Sequence, residues 1–215
     1  MTSVAKTVLL CLALVAVVLG MFVYSVTRPA LLSAAELRDR GVIILPRPRE
    51  IAGFKLADTR DGAFTVEDLR GAWTFVFFGF TNCPDICPTS MSVLAQAERQ
   101  LQGSDPEGAE DFHGVLVTVD PERDDLETLG DYVEVFSPRF VGVAGALDET
   151  AGFARQLNVG FGKVPSESGE PGDYGVDHGA QIVIVNPSGH YHGFIKMPHR
   201  ADTVAQAYKS LRANF

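Results

Sequence analysis

The sequence predicts an α/β sandwich around a mixed central sheet, carried behind one N-terminal membrane-spanning helix. Three observations predict it. Thr7 to Val26 is an uncharged, apolar run. From "TFVFFGF" onward, strand-like apolar runs alternate with amphipathic helical stretches. The chain then closes with two strand-like runs around "PSG" and a last helix, which adds antiparallel strands to the sheet.

The N-terminal run of about twenty residues is long enough to span a bilayer as a helix. A cleaved signal peptide would have a shorter apolar region and a small-x-small site, and "GMFVYSV" is a poor one. Cys11 follows Leu10 rather than a small residue, and the apolar run continues past it, so it reads as a membrane-embedded residue rather than a lipid attachment point. Residues 1–27 are therefore expected to be an uncleaved anchor. Lys6 and the short N-terminal tail favour an inside N-terminus. The rest of the chain then faces outward, into the periplasm of a bacterium or the intermembrane space of a mitochondrion.

Residues 28–51 carry Pro29, Pro46 and Pro48 and read as a stalk, with "GVIILP" as an edge strand. The folded domain is expected over 52–215. "FKLAD" and "GAFTV" around "TRDG" predict an extra N-terminal β-hairpin. "EDLRGAW" is a polar connection. "TFVFFGF" is apolar throughout, as a strand buried on both faces should be. After it, Met91, Leu94, Ala97 and Leu101 form a helical stripe that ends near Gly103. "HGVLVTVD" is a second buried strand, and Leu126, Leu129, Val133 and Phe136 mark the next helix. "FVGVAGA" is a third strand, and Asp148 is placed to cap the helix that follows. "GKVPSESGEPGDYGVDHG" reads as a long polar loop. "AQIVIVN" and "HYHGFIK" form a hairpin, and "ADTVAQAYKSLRANF" is the closing helix. A thioredoxin-like arrangement fits this order.

The chain of 215 residues has a formal net charge of −9 and no basic block, which disfavours nucleic acid as a partner. With Cys11 in the membrane, only Cys83 and Cys87 remain for the soluble part, too few for a disulfide scaffold.

Those two cysteines lie in "CPDICP", at the junction of the first buried strand and its helix. Residues i and i+4 share a helix face, and prolines are tolerated in a first turn. A helix N-terminus is expected to lower the pKa of thiols placed there. Dithiol oxidoreductases usually carry Cys-x-x-Cys, which this is not, although the longer spacer permits a disulfide. A thiol peroxidase would want an upstream proline beside Thr81, and "FFGFTNC" has none. Metal binding needs a further ligand from His113, His178, His190, His192 or His199. His178 stands out because it precedes a buried strand expected to neighbour the cysteine strand. Two thiolates and an imidazole suit copper, whereas structural zinc usually takes a fourth protein ligand. His190 and His192 share a strand face and read as an exposed polar surface. Asp85 and Asp120 are expected to tune the site, Asp120 because it ends a strand at the same edge.

"GAWTFVFFGFTNCPDICPTSM", "LVTVDPERDD" and "VDHGAQIVIVNPSG", with the single anchor, resemble the signature of the SCO/SenC family of copper chaperones. The resemblance covers roughly Phe54 to the C-terminus. It implies a thioredoxin-like fold and one copper, Cu(I) or Cu(II), bound by Cys83, Cys87 and His178. It also implies an inner-membrane, single-pass protein whose soluble domain faces the periplasm. The implied role is to deliver copper to, or prepare, the dinuclear copper site of cytochrome c oxidase subunit II or another cuproprotein. Periplasmic copper chaperones and thiol reductants are further implied partners. The alternative is a thiol–disulfide oxidoreductase using the same cysteines. The chain departs from many relatives at Asn82, where they carry histidine.

Overall fold

The structure is a computed structural model that describes residues 3–27, 31–60, 62–165 and 174–215. Residues 28–30 of the expected stalk, Asp61 of the expected hairpin turn and 166–173 of the expected loop lie outside these. The chain divides into two units, Met1–Leu31 and Leu32–Phe215. The first contains helix α1 (Ser3–Thr27), whose Val4–Phe22 segment is long and apolar enough to cross a membrane.

The second unit holds the sheet. Its strands are β1 (Val42–Glu50), β2 (Leu56–Asp58), β3 (Ala63–Phe64), β4 (Trp73–Gly79), β5 (Phe112–Thr118), β6 (Val141–Ala144), β9 (Ile182–Val185) and β10 (His190–Ile195). They lie in the order β1-β10-β9-β4-β5-β6-β2-β3. β4, β5 and β6 run parallel, and β9 pairs antiparallel with β4 through Phe77↔Ile182 and Thr74↔Val185. The mixed sheet, the β2–β3 hairpin and the β9–β10 hairpin agree with the sequence reading. Gly189 turns the last of these at φ 76°, a left-handed conformation that glycine adopts without a Cβ clash.

β4 is buried at every residue, as its unbroken apolar run requires. Successive side chains leave opposite faces. Phe75 meets Tyr208 of α7 (Ala201–Ala213) on one side, and Phe78 meets Phe153 of α6 (Leu147–Gln156) on the other. Helices thus cover both faces. Each fully buried phenylalanine contributes about 1.5–3 kcal/mol relative to exposure. Helix α3 (Ile86–Ser104) packs on α7 and against β4 and β5, with Met91, Leu94, Ala97 and Leu101 buried. Helix α5 (Leu126–Glu134) lies against β6.

Several boundaries differ from the sequence reading. The stretch expected as a stalk contains helix α2 (Ala34–Asp39), closed by a Ser33–Glu36 capping box, and β1. Pro46 and Pro48 are accommodated because β1 is an edge strand with one partner, and its register slips between Ile44 and Arg49. "EDLRGAW" begins with a 3₁₀ turn over Val66–Leu69, capped by Thr65 and Asp68. Helix α3 runs to Ser104 with Asp105, not Gly103, as its C-cap, and Asp105 also caps a short helix, α4 (Pro106–Ala109). Ala146, not Asp148, occupies the N-cap of α6, and Asp148 sits in its first turn. Part of the expected polar loop is a second, two-stranded sheet: β7 (Phe161–Pro165) pairs with β8 (Tyr174–His178).

Candidate metal centre

The parallel strands end together at Gly79, Thr118 and Ala144, and the cysteine segment leaves from this end of β4. Val119 N–H donates to the Gly79 carbonyl (2.9 Å), and Cys83 N–H to that of Phe80 (3.3 Å). Helix α3 then starts at Ile86, placing Cys87 and Pro88 in its first turn. There N–H groups lack intrahelical partners. Pro88 therefore forfeits no helical bond, and the free Cys87 N–H points to Cys83 Sγ at 3.4 Å. The loop is pinned from below by Asp124, which is 1% exposed. Its carboxylate accepts from Thr81 N–H (3.0 Å), the Thr81 hydroxyl and the Thr118 hydroxyl (2.6 Å).

β9 runs antiparallel beside β4, so the segment leading into it arrives at the same end of the sheet. That segment is β8, and its last residue is His178. The Sγ atoms of Cys83 and Cys87 and a ring nitrogen of His178 all lie within 4.8 Å of one another. Among the described residues no other group of His, Cys, Asp and Glu side chains is arranged this way. Both cysteines are free thiols. His178 Nδ1 lies 3.3 Å from the Gly179 carbonyl, which it can only approach as a donor. Nε2 is then left with its lone pair, 3.4 Å from Cys87 Sγ.

The surroundings are apolar. Phe77 and Phe80 set their rings edge-on to the imidazole, with centroids 5.7 and 5.9 Å away. Burial lowers the pKa of His178 and keeps the ring neutral. Burial also pushes the Cys87 thiol well above the ordinary range, helped by its contact with Cys83. For Cys87 this is opposite to the acidified thiol expected at a helix N-terminus, and loss of solvation is the largest cause. Cys87 is fully buried and Cys83 is 9% exposed, so solvent reaches the pair on the Cys83 side.

Asp120 reaches the same end of the sheet but is drawn away from the sulfurs. It pairs with Arg123 and accepts from the Tyr174 hydroxyl at 2.7 Å. Asp85 is exposed at the N-cap of α3 and makes no side-chain cap bond. Of the other histidines, His192 packs on Trp73 and approaches Asn186 (3.2 Å), and His199 approaches the Ser90 hydroxyl (3.0 Å). His113 lines a cavity of about 350 Å³ with Arg60 and Arg139. His190 and His192 do not join in a metal-ligating group.

Two residues that matter to the site escaped the sequence reading. One is Asp124, which sits in the acidic run "DPERDD" and is nevertheless buried. The other is Gly79: a Cβ there would stand 2.8 Å from Cys87 Sγ, closer than packing permits. A glycine ending a buried strand just before a cysteine pair was the available signal.

The donor set suits copper. Two sulfurs and one imidazole converge with no carboxylate among them, a soft set that fits Cu(I), while the imidazole also accepts Cu(II). The model of the SCO1/SenC family matches residues 45–213. The chain belongs to the SCO1/SenC family. Among proteins similar to this SCO1/SenC chain is the human mitochondrial protein SCO2 homolog. It is 36% identical over 162 residues, which are 75% of this chain and 59% of the human one. This chain therefore spans less than two thirds of that relative. Two solved structures resemble it as well. Arabidopsis thaliana ScoI with copper bound matches at TM-score 0.68 and 31% identity, covering 75% of this chain and 98% of the other. Bradyrhizobium japonicum ScoI with copper bound matches at 0.65 and 31%, covering 74% and 98%. These likenesses and the alternation of strands and helices give the SCO1/SenC chain a thioredoxin-like fold.

Proposed function

We propose that this protein is a membrane-anchored copper carrier. It holds one copper as cargo through Cys83, Cys87 and His178, and uses it to build the dinuclear copper site of cytochrome c oxidase subunit II. The observation that carries this reading is the convergence of the three ligand atoms within 4.8 Å. The relatives named for bound copper support it. The anchor is residues 1–27, with the remainder of the chain facing the periplasm; support comes from the apolar α1 segment and Lys6 on its N-terminal flank.

The residues divide the work. His178 is neutral and offers Nε2 without giving up a proton. The thiols lose theirs as copper enters, so loading releases protons. Cys83, on the more exposed side, is the sulfur that an incoming cysteine of a partner meets first. Copper then passes by stepwise ligand exchange, one sulfur at a time, which keeps it coordinated throughout. The alternative, thiol–disulfide exchange with a partner's cysteines, would use the same pair. In that alternative the more exposed Cys83 would attack and the buried Cys87 would resolve the mixed disulfide.

The test is copper stoichiometry and affinity after anaerobic Cu(I) loading. Wild type is expected to bind one copper per chain, Cys83→Ala and Cys87→Ala to lose it, and His178→Ala to bind more weakly. Unchanged tight binding by His178→Ala would remove His178 from the site. Loss of respiratory oxidase in cells carrying Cys83→Ala tests the delivery role, and full oxidase activity there would sink it.

A further inference from the structure

The third ligand sits on a hairpin that the main sheet does not hold. Among the described residues β7 and β8 pair only with each other, and an isolated two-stranded hairpin is marginal in water. Something else must set where His178 stands. Along β8, residues two apart share a face. Tyr174, Val176 and His178 are all partly buried, while Asp177 between the last two is exposed. Val176 packs against the core. Tyr174 is four residues, or about 13 Å, from His178.

Tyr174 is fastened from several directions. Its hydroxyl donates to Asp120 Oδ1 at 2.7 Å. The other Asp120 oxygen is taken by Arg123, whose guanidinium lies over the Tyr174 ring at 4.1 Å and whose Nη1 reaches the Tyr174 carbonyl at 3.3 Å. Lys163, on the paired strand, covers the ring at 4.1 Å and binds Glu122 at 2.6 Å. Asp120 is 1% exposed, lies two residues past β5 and donates its N–H to the Thr118 hydroxyl at 3.0 Å, so the fixed end of these contacts belongs to the sheet.

We infer that Tyr174, with Asp120 and Arg123, is the latch that positions His178 against the sulfurs. Tyr174 is a positioning residue, since none of its contacts is with a ligand atom. The inference rests on His178 being a copper ligand as proposed above, and it gives Asp120 a role in holding the hairpin rather than in touching the site. With the latch broken, the two thiols still hold copper while the imidazole spends less time within reach.

The experiment uses the full chain as wild type, Tyr174→Phe, Tyr174→Ala, His178→Ala and the Tyr174→Ala/His178→Ala double variant. In the metal-free protein, hydrogen exchange of residues 161–165 and 174–178 is expected to quicken in Tyr174→Ala. Tyr174→Phe, which keeps the ring beneath Arg123 and Lys163, should fall between it and wild type. Cu(I) affinity, measured against a competing chelator, is expected to drop about 10–100-fold in Tyr174→Ala. The Cu(II) form should lose nitrogen hyperfine coupling, and the double variant should bind no more weakly than His178→Ala. Wild-type exchange and wild-type affinity in Tyr174→Ala would overturn the latch, as would fully additive losses in the double variant. If His178→Ala binds copper as tightly as wild type, the ligand assignment fails instead. Hairpin exchange in the metal-free variants then still decides whether the latch exists.

Discussion

His178 Nε2 lies 3.4 Å from Cys87 Sγ across 91 residues of sequence. The contact joins a neutral imidazole to a thiol that burial keeps protonated. The antiparallel pairing of β9 with β4 brings the two residues to one end of the sheet. Two consequences concern protons, and they differ in sign.

Alkylation of Cys87 in the metal-free protein should be slow at neutral pH. Only the thiolate reacts, and burial raises the pKa above the ordinary value of about 8.5. The rate should keep rising with pH past the point where an ordinary thiol levels off. Peptide mass spectrometry after timed iodoacetamide pulses measures this, and a plateau at or below the ordinary thiol pKa would contradict the burial argument. Cu(I) loading near pH 7 should correspondingly release protons, seen as a buffer-dependent heat in calorimetry.

Stability of the metal-free protein should fall on both sides of neutrality. Burial lowers the pKa of His113, His178, His192 and His199, and unfolding restores it to about 6.5. Below that pH the unfolded chain binds more protons than the folded one, so stability declines as pH falls. Cys87 acts oppositely: above about pH 8.5 the folded chain keeps a proton that the unfolded chain has lost, and stability declines as pH rises. Urea denaturation at pH 5, 7.5 and 9.5 checks both limbs. A midpoint that does not move between pH 7.5 and pH 5 would remove the histidine contribution.

Much of this site could be read before the fold was known, because its signals are local. An apolar run ending in two cysteines marks a strand–helix junction, and "VDHG" before "AQIVIV" marks a loop at one end of a sheet. What could not be read depends on contacts between distant segments. β7 and β8 have the glycine, proline and charge content of a loop, and they pair because Val176 and Tyr174 find partners on other elements. β1 carries two prolines and persists because an edge strand needs bonds on one side only. The helix N-terminus around Cys87 was legible, but its burial was not, and burial set the direction of the pKa. Asp124 sits in "DPERDD", an acidic run that composition assigns to solvent, yet Thr81 lies 43 residues away and supplies two of its bonds.

Asp124→Ala should destabilise the fold around the cysteine loop. Hydrogen bonds to a charged group contribute about 1.5–3 kcal/mol each, and removing a buried acceptor leaves its donors unsatisfied. Three donors, from Thr81 and Thr118, lose their partner here. Asp124→Asn keeps the shape, and should cost less because its oxygen still serves one or two of them. Both variants should weaken Cu(I) binding, since the loop they loosen carries Cys83. Denaturation midpoints with copper competition titrations check this; wild-type stability in Asp124→Ala would mean that the loop is held by other contacts.

Gly79→Ala is the most selective probe of the sulfur position. The added methyl would stand 2.8 Å from Cys87 Sγ, 3.1 Å from Phe77 Cε1 and 3.3 Å from Leu116 Cδ1. All three side chains are fully buried, so the methyl cannot enter without displacing one of them, and the sulfur is the nearest. Overpacking of this kind costs about 1–3 kcal/mol. Displacing Sγ also spoils its convergence with Cys83 and His178, so Cu(I) affinity should fall further than the stability loss alone explains. Denaturation of the metal-free protein gives the first quantity and chelator competition the second. A variant that loses stability yet binds Cu(I) as wild type would show that the site tolerates a shifted Cys87. The close approach of Gly79 would then serve the packing of the strand alone.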